Sequence, residues 1–267
     1  MDYILYLIAG ALAGFLSGLF GLGGGIIIVP ALIFLFTANG LPPEVVTHLA
    51  IGTSLATIVV TSISSAMTHH RKGSVRWDLF SWLVPGILLG SIVGGIFAAS
   101  LSGPILQLLF GVLMIVVAAQ LLVSPGPSTG SMPRKPYLSC AGFFIGTLSA
   151  LFGIGGGTLT TPLLIAFGTK IRQTVATSAA CGLPIALAGG ATYLIVGLNI
   201  DSLPAGSLGY IFIPAWLGIV LTSMPFARAG ALLAHRTNER RLKQLFAGII
   251  LILGVRFIWL NALTTLG

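Results

Sequence analysis

Gly18-Leu19-Phe20-Gly21-Leu22-Gly23-Gly24-Gly25-Ile26-Ile27-Ile28-Val29-Pro30 is the stretch that decides how this chain is read. Ala150-Leu151-Phe152-Gly153-Ile154-Gly155-Gly156-Gly157-Thr158-Leu159-Thr160-Thr161-Pro162 repeats it with the glycines and the proline in the same register. The copies stand close to half a chain apart, so the stretch has been duplicated. Each copy interrupts an apolar run that would otherwise read as one long helix. Glycine in a helix interior costs roughly 1 kcal/mol relative to alanine, so a polyglycine break kept in both copies marks a working centre.

The 267 residues are 56% hydrophobic and only 7% charged, with a mean hydropathy of +1.06. Soluble domains carry about 25% charged residues, so this composition specifies an integral membrane protein. The net charge of +8 does not point to nucleic acid, because the basic residues stand in short clusters between apolar spans, where they act as topology determinants. Met1-Asp2-Tyr3-Ile4 lacks a basic n-region and is followed by many further spans, so no cleaved signal peptide is expected. Cys140 and Cys181 lie in apolar segments and fit no metal or redox spacing.

The apolar segments run over residues 3–20, 26–36, 45–67, 79–99 and 105–123, and again over 137–152, 159–167, 175–196, 208–226 and 242–260. A stretch rich in Pro, Ser and Gly over 124–136 reads as a cytoplasmic linker between an N-terminal membrane repeat (1–123) and a C-terminal one (137–267). The segments after the glycines fall short of the ~20 residues a spanning helix needs, so they read as half-helices. If each glycine stretch only kinks one span, each half has four crossings, and basic residues fall on both sides of the membrane. If each turns the chain back, each half has five segments. Arg71, Lys72, Arg76, Arg134, Lys135, Lys170, Arg172 and the cluster from Arg228 to Lys243 then share the cytoplasmic side, with Asp2, Glu44 and Asp201 outside. The positive-inside rule selects the second arrangement. An odd number of segments per half inverts the second copy. The expected fold is therefore an all-α integral membrane protein of two inverted repeats, about five segments each, with broken half-helices, an architecture that secondary transporters use.

Consecutive glycines at a helix start leave backbone N–H groups unscreened, with the positive end of the helix dipole behind them. Gly23, Gly24, Gly25, Gly155, Gly156 and Gly157 are thus candidates to bind an anion. Gly21-x-x-x-Gly25 and Gly153-x-x-x-Gly157 also satisfy a close-packing pattern, so packing is the competing reading. Thr53-Ser54 and Thr177-Ser178 form a second duplicated pair. Their hydroxyls can donate to an oxyanion without placing a charge in the membrane, or can bond a neighbouring helix or their own backbone. Thr158, Thr160 and Thr161 decorate the second half-helix where the first has Ile26, Ile28 and Val29, and Thr158 joins the candidate set.

Gly86, Gly90 and Gly94 make a smooth packing face. His69-His70 beside Arg71-Lys72 point in two helical directions, cannot chelate one metal as an adjacent pair and mark a cytoplasmic rim, with pH sensing by His69 as the alternative. The sequence does not decide the role of His48. Arg256 either snorkels to the outer interface or attracts an anion. Glu44 and Asp78 border spans and no carboxylate lies within one, which argues against a carboxylate proton relay or sodium site. No Gly-Lys-Ser or Gly-Lys-Thr follows either glycine stretch and no complete G-x-G-x-x-G is present, so nucleotide binding is set aside. Neither a cofactor nor a metal site nor an enzyme activity is expected.

The doubled glycine motif through Pro30 and Pro162, with the following Gly52-Thr53-Ser54, resembles the TauE/SafE family of sulfite and organosulfonate exporters, and the resemblance covers nearly the whole chain. It implies movement of a sulfur-containing anion such as sulfite, sulfoacetate or a related sulfonate across the bacterial inner membrane. The expectation is a multi-pass secondary transporter working by alternating access, monomeric or homodimeric, with a small anion, the lipid bilayer and a coupling proton or sodium ion as its partners. An anion channel and a membrane assembly factor stand as alternatives.

Overall fold

In both halves the helices that flank the glycine stretch fold back on each other. The computed structural model describes residues 3–20, 24–123, 135–234 and 239–266. In the first half, α1 (Tyr3–Phe20) and α2 (Gly25–Ala38) flank the first stretch, and Tyr6 near the start of α1 meets Phe36 near the end of α2 at 6.2 Å between ring centroids. In the second half, α6 (Lys135–Phe152) and α7 (Gly156–Ala166) flank the repeat, and Tyr137 meets Phe167 at 6.1 Å. A kinked single span would separate those rings by the summed length of both helices, so each pair is a hairpin. α2 and α7 have 14 and 11 residues, roughly 21 and 16 Å at 1.5 Å per residue against a hydrocarbon core of ~30 Å.

Three further helices complete each half: α3 (Pro43–Arg71), α4 (Trp77–Ala99) and α5 (Gly103–Val123), then α8 (Ile171–Gly197), α9 (Ile213–Ala234) and α10 (Glu239–Leu266). Among the described residues this gives the ten expected segments. α3, α4, α5, α8 and α10 each contain a stretch long and apolar enough to cross a membrane, and the chain is an all-α membrane protein. α3 starts on Pro43 with Glu44 in its first turn and ends on His69, His70 and Arg71, which matches the helix dipole at both ends. A two-stranded hairpin, β1 (Ser207–Leu208) with β2 (Ile211–Phe212), precedes α9. The expected linker lies outside the described residues as far as residue 134, as do Asp2, Arg134 and Arg236. The side chains of Arg240, Arg241 and Lys243 are likewise outside the description.

The helices pair across the halves in an exchanged pattern. α1 packs on α9 and α6 packs on α4, so the first helix of each half meets the fourth of the other, while α3 meets α8 and α5 meets α10. Small residues make these approaches possible. Methyl groups at Gly86, Gly90 and Gly94 would fall within 2.3 Å of the carbonyls of Ser139, Phe143 and Thr147, which confirms the packing face expected there. The contacts also fix direction. Gly10 and Gly14 meet Ile219 and Ser223 in ascending order, so α1 and α9 run parallel, and the Gly86-to-Gly94 series makes α4 and α6 parallel. Leu55 meets Gly189 while Ser62 meets Gly182, and Gln107 bonds Asn261 while Gly111 meets Gly254. α3 with α8 and α5 with α10 are therefore antiparallel.

Candidate functional site

The start of α2 touches the second glycine turn. A methyl at Gly25 would sit 2.4 Å from the Gly153 carbonyl oxygen, and Gly153 itself holds φ +66°, a conformation that favours glycine. The Ser54 hydroxyl donates to that same carbonyl at 2.8 Å. Gly25 and Ser54 thus belong to the joint between the halves.

Thr53 and Thr177 do equivalent structural work. The Thr53 Oγ1 accepts the backbone N–H of Phe212 at 3.0 Å, and the Thr177 Oγ1 accepts that of Arg76 at 3.0 Å. Phe212 and Arg76 immediately precede α9 and α4. Each threonine of one half therefore secures the entry to the fourth helix of the other half through a lone pair of its hydroxyl oxygen, and neither threonine borders the cavity that Ser178 lines.

The remaining candidates surround a cavity of about 440 Å³. Gly24, Gly155, Gly156, Gly157 and Ser178 line it. Gly155 is the N-cap of α7 in extended conformation with no side-chain cap, so the first N–H groups of that helix lack a capping side chain. Beside them the Ser178 Oγ is buried without a hydrogen-bond partner. A buried unpaired hydroxyl costs ~1–3 kcal/mol, and one that borders a cavity at a helix N-terminus is set to receive an acceptor. Gly156 is tightly held as well, since a methyl there would lie 2.6 Å from the Ser178 carbonyl oxygen and 2.9 Å from the Gly182 nitrogen. Thr158 is buried and absent from the cavity wall. Gly23 lies outside the described residues.

Sequence reasoning missed most of the polar wall. Thr61, Ser62, Ser65, Thr68 and His69 follow one face of α3 at helical spacing, and Ser17, Ser223 and Arg228 join them from α1 and α9. The i, i+3, i+4, i+7 hydroxyl pattern of Thr61, Ser64, Ser65 and Thr68 on α3 was visible, but of its counterparts Ile185, Ala188, Gly189 and Thr192 only the last keeps a hydroxyl, so a search for duplicated residues passes over it. Ile28, Ile58, Val175 and Met224 give the cavity an apolar side. The wall runs from buried Ser178 to exposed Thr68 and Arg228, with Lys72 and Arg172 close to His69. The cavity therefore opens at the end of the molecule that carries basic residues. At the opposite end the hairpin is packed against α3 and α8: methyl groups at Gly52 and Gly197 would lie within 2.3 Å of the Tyr210 backbone.

Arg256 lies 5.6 Å over the Phe34 ring, a cation–π contact on the outside of the bundle rather than at the cavity. Among the described residues no group of three or more His, Cys, Asp or Glu side chains could hold a metal ion.

Comparison with known proteins agrees with this architecture. The profile of the family described as sulfite exporter TauE/SafE matches residues 6–257. A Haemophilus influenzae protein named "probable membrane transporter protein" is 36% identical over 254 residues, covering 94% of this chain and 96% of the relative. A protein of the same description from Methanocaldococcus jannaschii is 28% identical over 94% of this chain and 93% of its own. The probable membrane transporter protein YunE of Bacillus subtilis is 28% identical over 97% and 98%.

Proposed function

The chain belongs to the sulfite exporter TauE/SafE family of multi-pass membrane transporters, and from that premise we propose that it exports a small sulfur-containing anion. Sulfite, sulfoacetate and related organosulfonates are the substrates, and the bacterial inner membrane is the site of action. The Ser178 hydroxyl, buried without a partner on the cavity wall, carries this reading. Ser178 lines this cavity together with Gly24 and with Gly155, Gly156 and Gly157 at the start of α7, and a small displacement of its side chain would offer the hydroxyl to an anion there. Donors without a formal charge suit release as well as binding, because a paired charge in a membrane interior holds its partner strongly. The exposed Arg228 at the mouth, with half-buried His69 across from it, draws anions from the basic side.

The exchanged helix pairing and the antiparallel crossings of α3 with α8 and α5 with α10 support two inverted repeats. In that arrangement the cavity faces the cytoplasm and the opposite end is shut by the 207–212 hairpin, which is an inward-facing state of an alternating-access cycle. The test of the site is efflux of sulfite and sulfoacetate from proteoliposomes carrying Ser178→Ala, with Gly155→Ala as a second variant, since a methyl at Gly155 meets nothing nearer than Ile58 at 3.6 Å. Folded variants that move both anions at the wild-type rate would refute the site. Cysteine labelling tests the orientation, with position 170 expected on the cytoplasmic face and position 201 on the outer one.

A further inference from the structure

His48 is the one buried ionisable side chain, tyrosine and cysteine apart, among the described residues. Its Nε2 lies 3.1 Å from the Ala98 carbonyl oxygen, which can only accept, so Nε2 carries a hydrogen. In the neutral ring Nδ1 is then a bare lone pair, and it is buried with no partner. The ring stacks on Tyr210 at 5.2 Å and 29°. Tyr210 belongs to the hairpin that closes the end opposite the cavity, and α3 clamps this hairpin at three successive points. These are the His48 stack, the close approach of Gly52 to the Tyr210 carbonyl, and the bond from the Phe212 N–H to Thr53. Of the three, only His48 can change its charge.

We propose that His48 Nδ1 is a proton-binding site that governs release of the 207–212 hairpin. A proton taken from water at Nδ1 creates a second N–H that finds no acceptor while the ring stays on Tyr210. The ring gains an acceptor by turning out of the stack to water, which removes one clamp of three. The titratable groups facing it are phenols, Tyr210 and behind it Tyr193. Glu44, one turn earlier on α3, and Asp201, ahead of the hairpin, are exposed, and residues 97–104 at the turn from α4 to α5 include no titratable side chain. In the transport cycle this makes proton binding the event that opens the outer end, a role that rests on the transporter reading.

The test is hydrogen exchange of the 207–212 amides in the reconstituted protein from pH 8 to pH 5, corrected for intrinsic exchange, in wild type and in His48→Gln. Wild type is expected to gain at least tenfold as pH falls, His48→Gln to be flat and His70→Gln to behave as wild type. A flat wild-type profile, or a His48→Gln profile that follows wild type, overturns the proposal. If His48→Gln does not fold, nitrogen NMR of wild type with labelled histidine decides: Nδ1 of His48 gaining a proton in step with the exchange supports the proposal, and Nδ1 bare throughout overturns it. Neither measurement needs a substrate, so failure here leaves the anion site standing, and failure of the anion site leaves this result standing.

Discussion

Ser54 and Ser178 occupy the same place in the two copies of a duplicated Thr-Ser pair, yet their surroundings differ completely. Ser54 spends its hydrogen on the Gly153 carbonyl and helps hold the halves together. Ser178 belongs to the cavity wall, and its buried Oγ has no partner. The glycines split the other way, since Gly156 of the second copy is wedged against the backbone of α8 while Gly24, its counterpart in the first, meets nothing closer than the end of the Ile28 side chain and Ser17. Duplication supplied equal chemistry to both halves, and at each pair the conformation leaves one member free and locks the other into packing.

The largest effect that separates the copies is expected from leucine at the paired glycines. Gly156→Leu should abolish folded, monodisperse protein by size-exclusion chromatography, because its Cβ would meet backbone atoms that cannot give way. Gly24→Leu should fold, because only a flexible Ile28 methyl stands in the way, and should lose transport instead.

Next come the serines. Ser178→Ala should leave thermal stability unchanged or slightly raised, since an unpaired buried hydroxyl is removed, while slowing sulfite efflux by at least tenfold. Ser54→Ala should act the other way, lowering stability by about 1–3 kcal/mol through the stranded Gly153 carbonyl, read from thermal unfolding in detergent. Equal transport defects in the two variants would erase the proposed division.

The threonines should show no division at all. Thr53→Val and Thr177→Val each strand one backbone N–H, and each is expected to cost ~1–3 kcal/mol, with matching shifts in the unfolding midpoint. The smallest effect belongs to the mouth. Arg228→Gln should slow anion entry by a few fold at low ionic strength and hardly at all near 1 M salt, where the Debye length is about 3 Å.

Most of the fold was legible because the signals were strong and doubled. The spans follow from hydropathy, the hairpins at Gly21–Gly25 and Gly153–Gly157 from the side on which the arginines fall, and the glycine face of α4 from its spacing. The site was legible in part. A sequence shows that Thr53, Ser54, Thr177 and Ser178 carry hydroxyls, but not which of them meets a backbone group more than ninety residues away. The joints to Phe212, Gly153 and Arg76 depend on the halves interleaving, and that is settled by packing. His48 was silent for the same reason, since its meaning lies in Ala98 and Tyr210. The hydroxyl face of α3 could have been read by helical period, had periodicity been weighed beside repetition.

The exchanged pairing of α1 with α9 and of α6 with α4 has a consequence for biosynthesis. α6 leaves the ribosome about 50 residues after α4 and finds its partner within ten seconds or so at 5–20 residues per second, whereas the glycine face of α1 waits for a helix about 200 residues downstream, roughly 10–40 s. During that interval Gly10 and Gly14 face lipid or the insertion machinery, and the N-terminal half holds its first helix mainly through the α2 hairpin. The first helix made is therefore among the last to dock, just before α10 meets α5, and a transcript truncated before α9 yields a protein whose first helix has nowhere to dock.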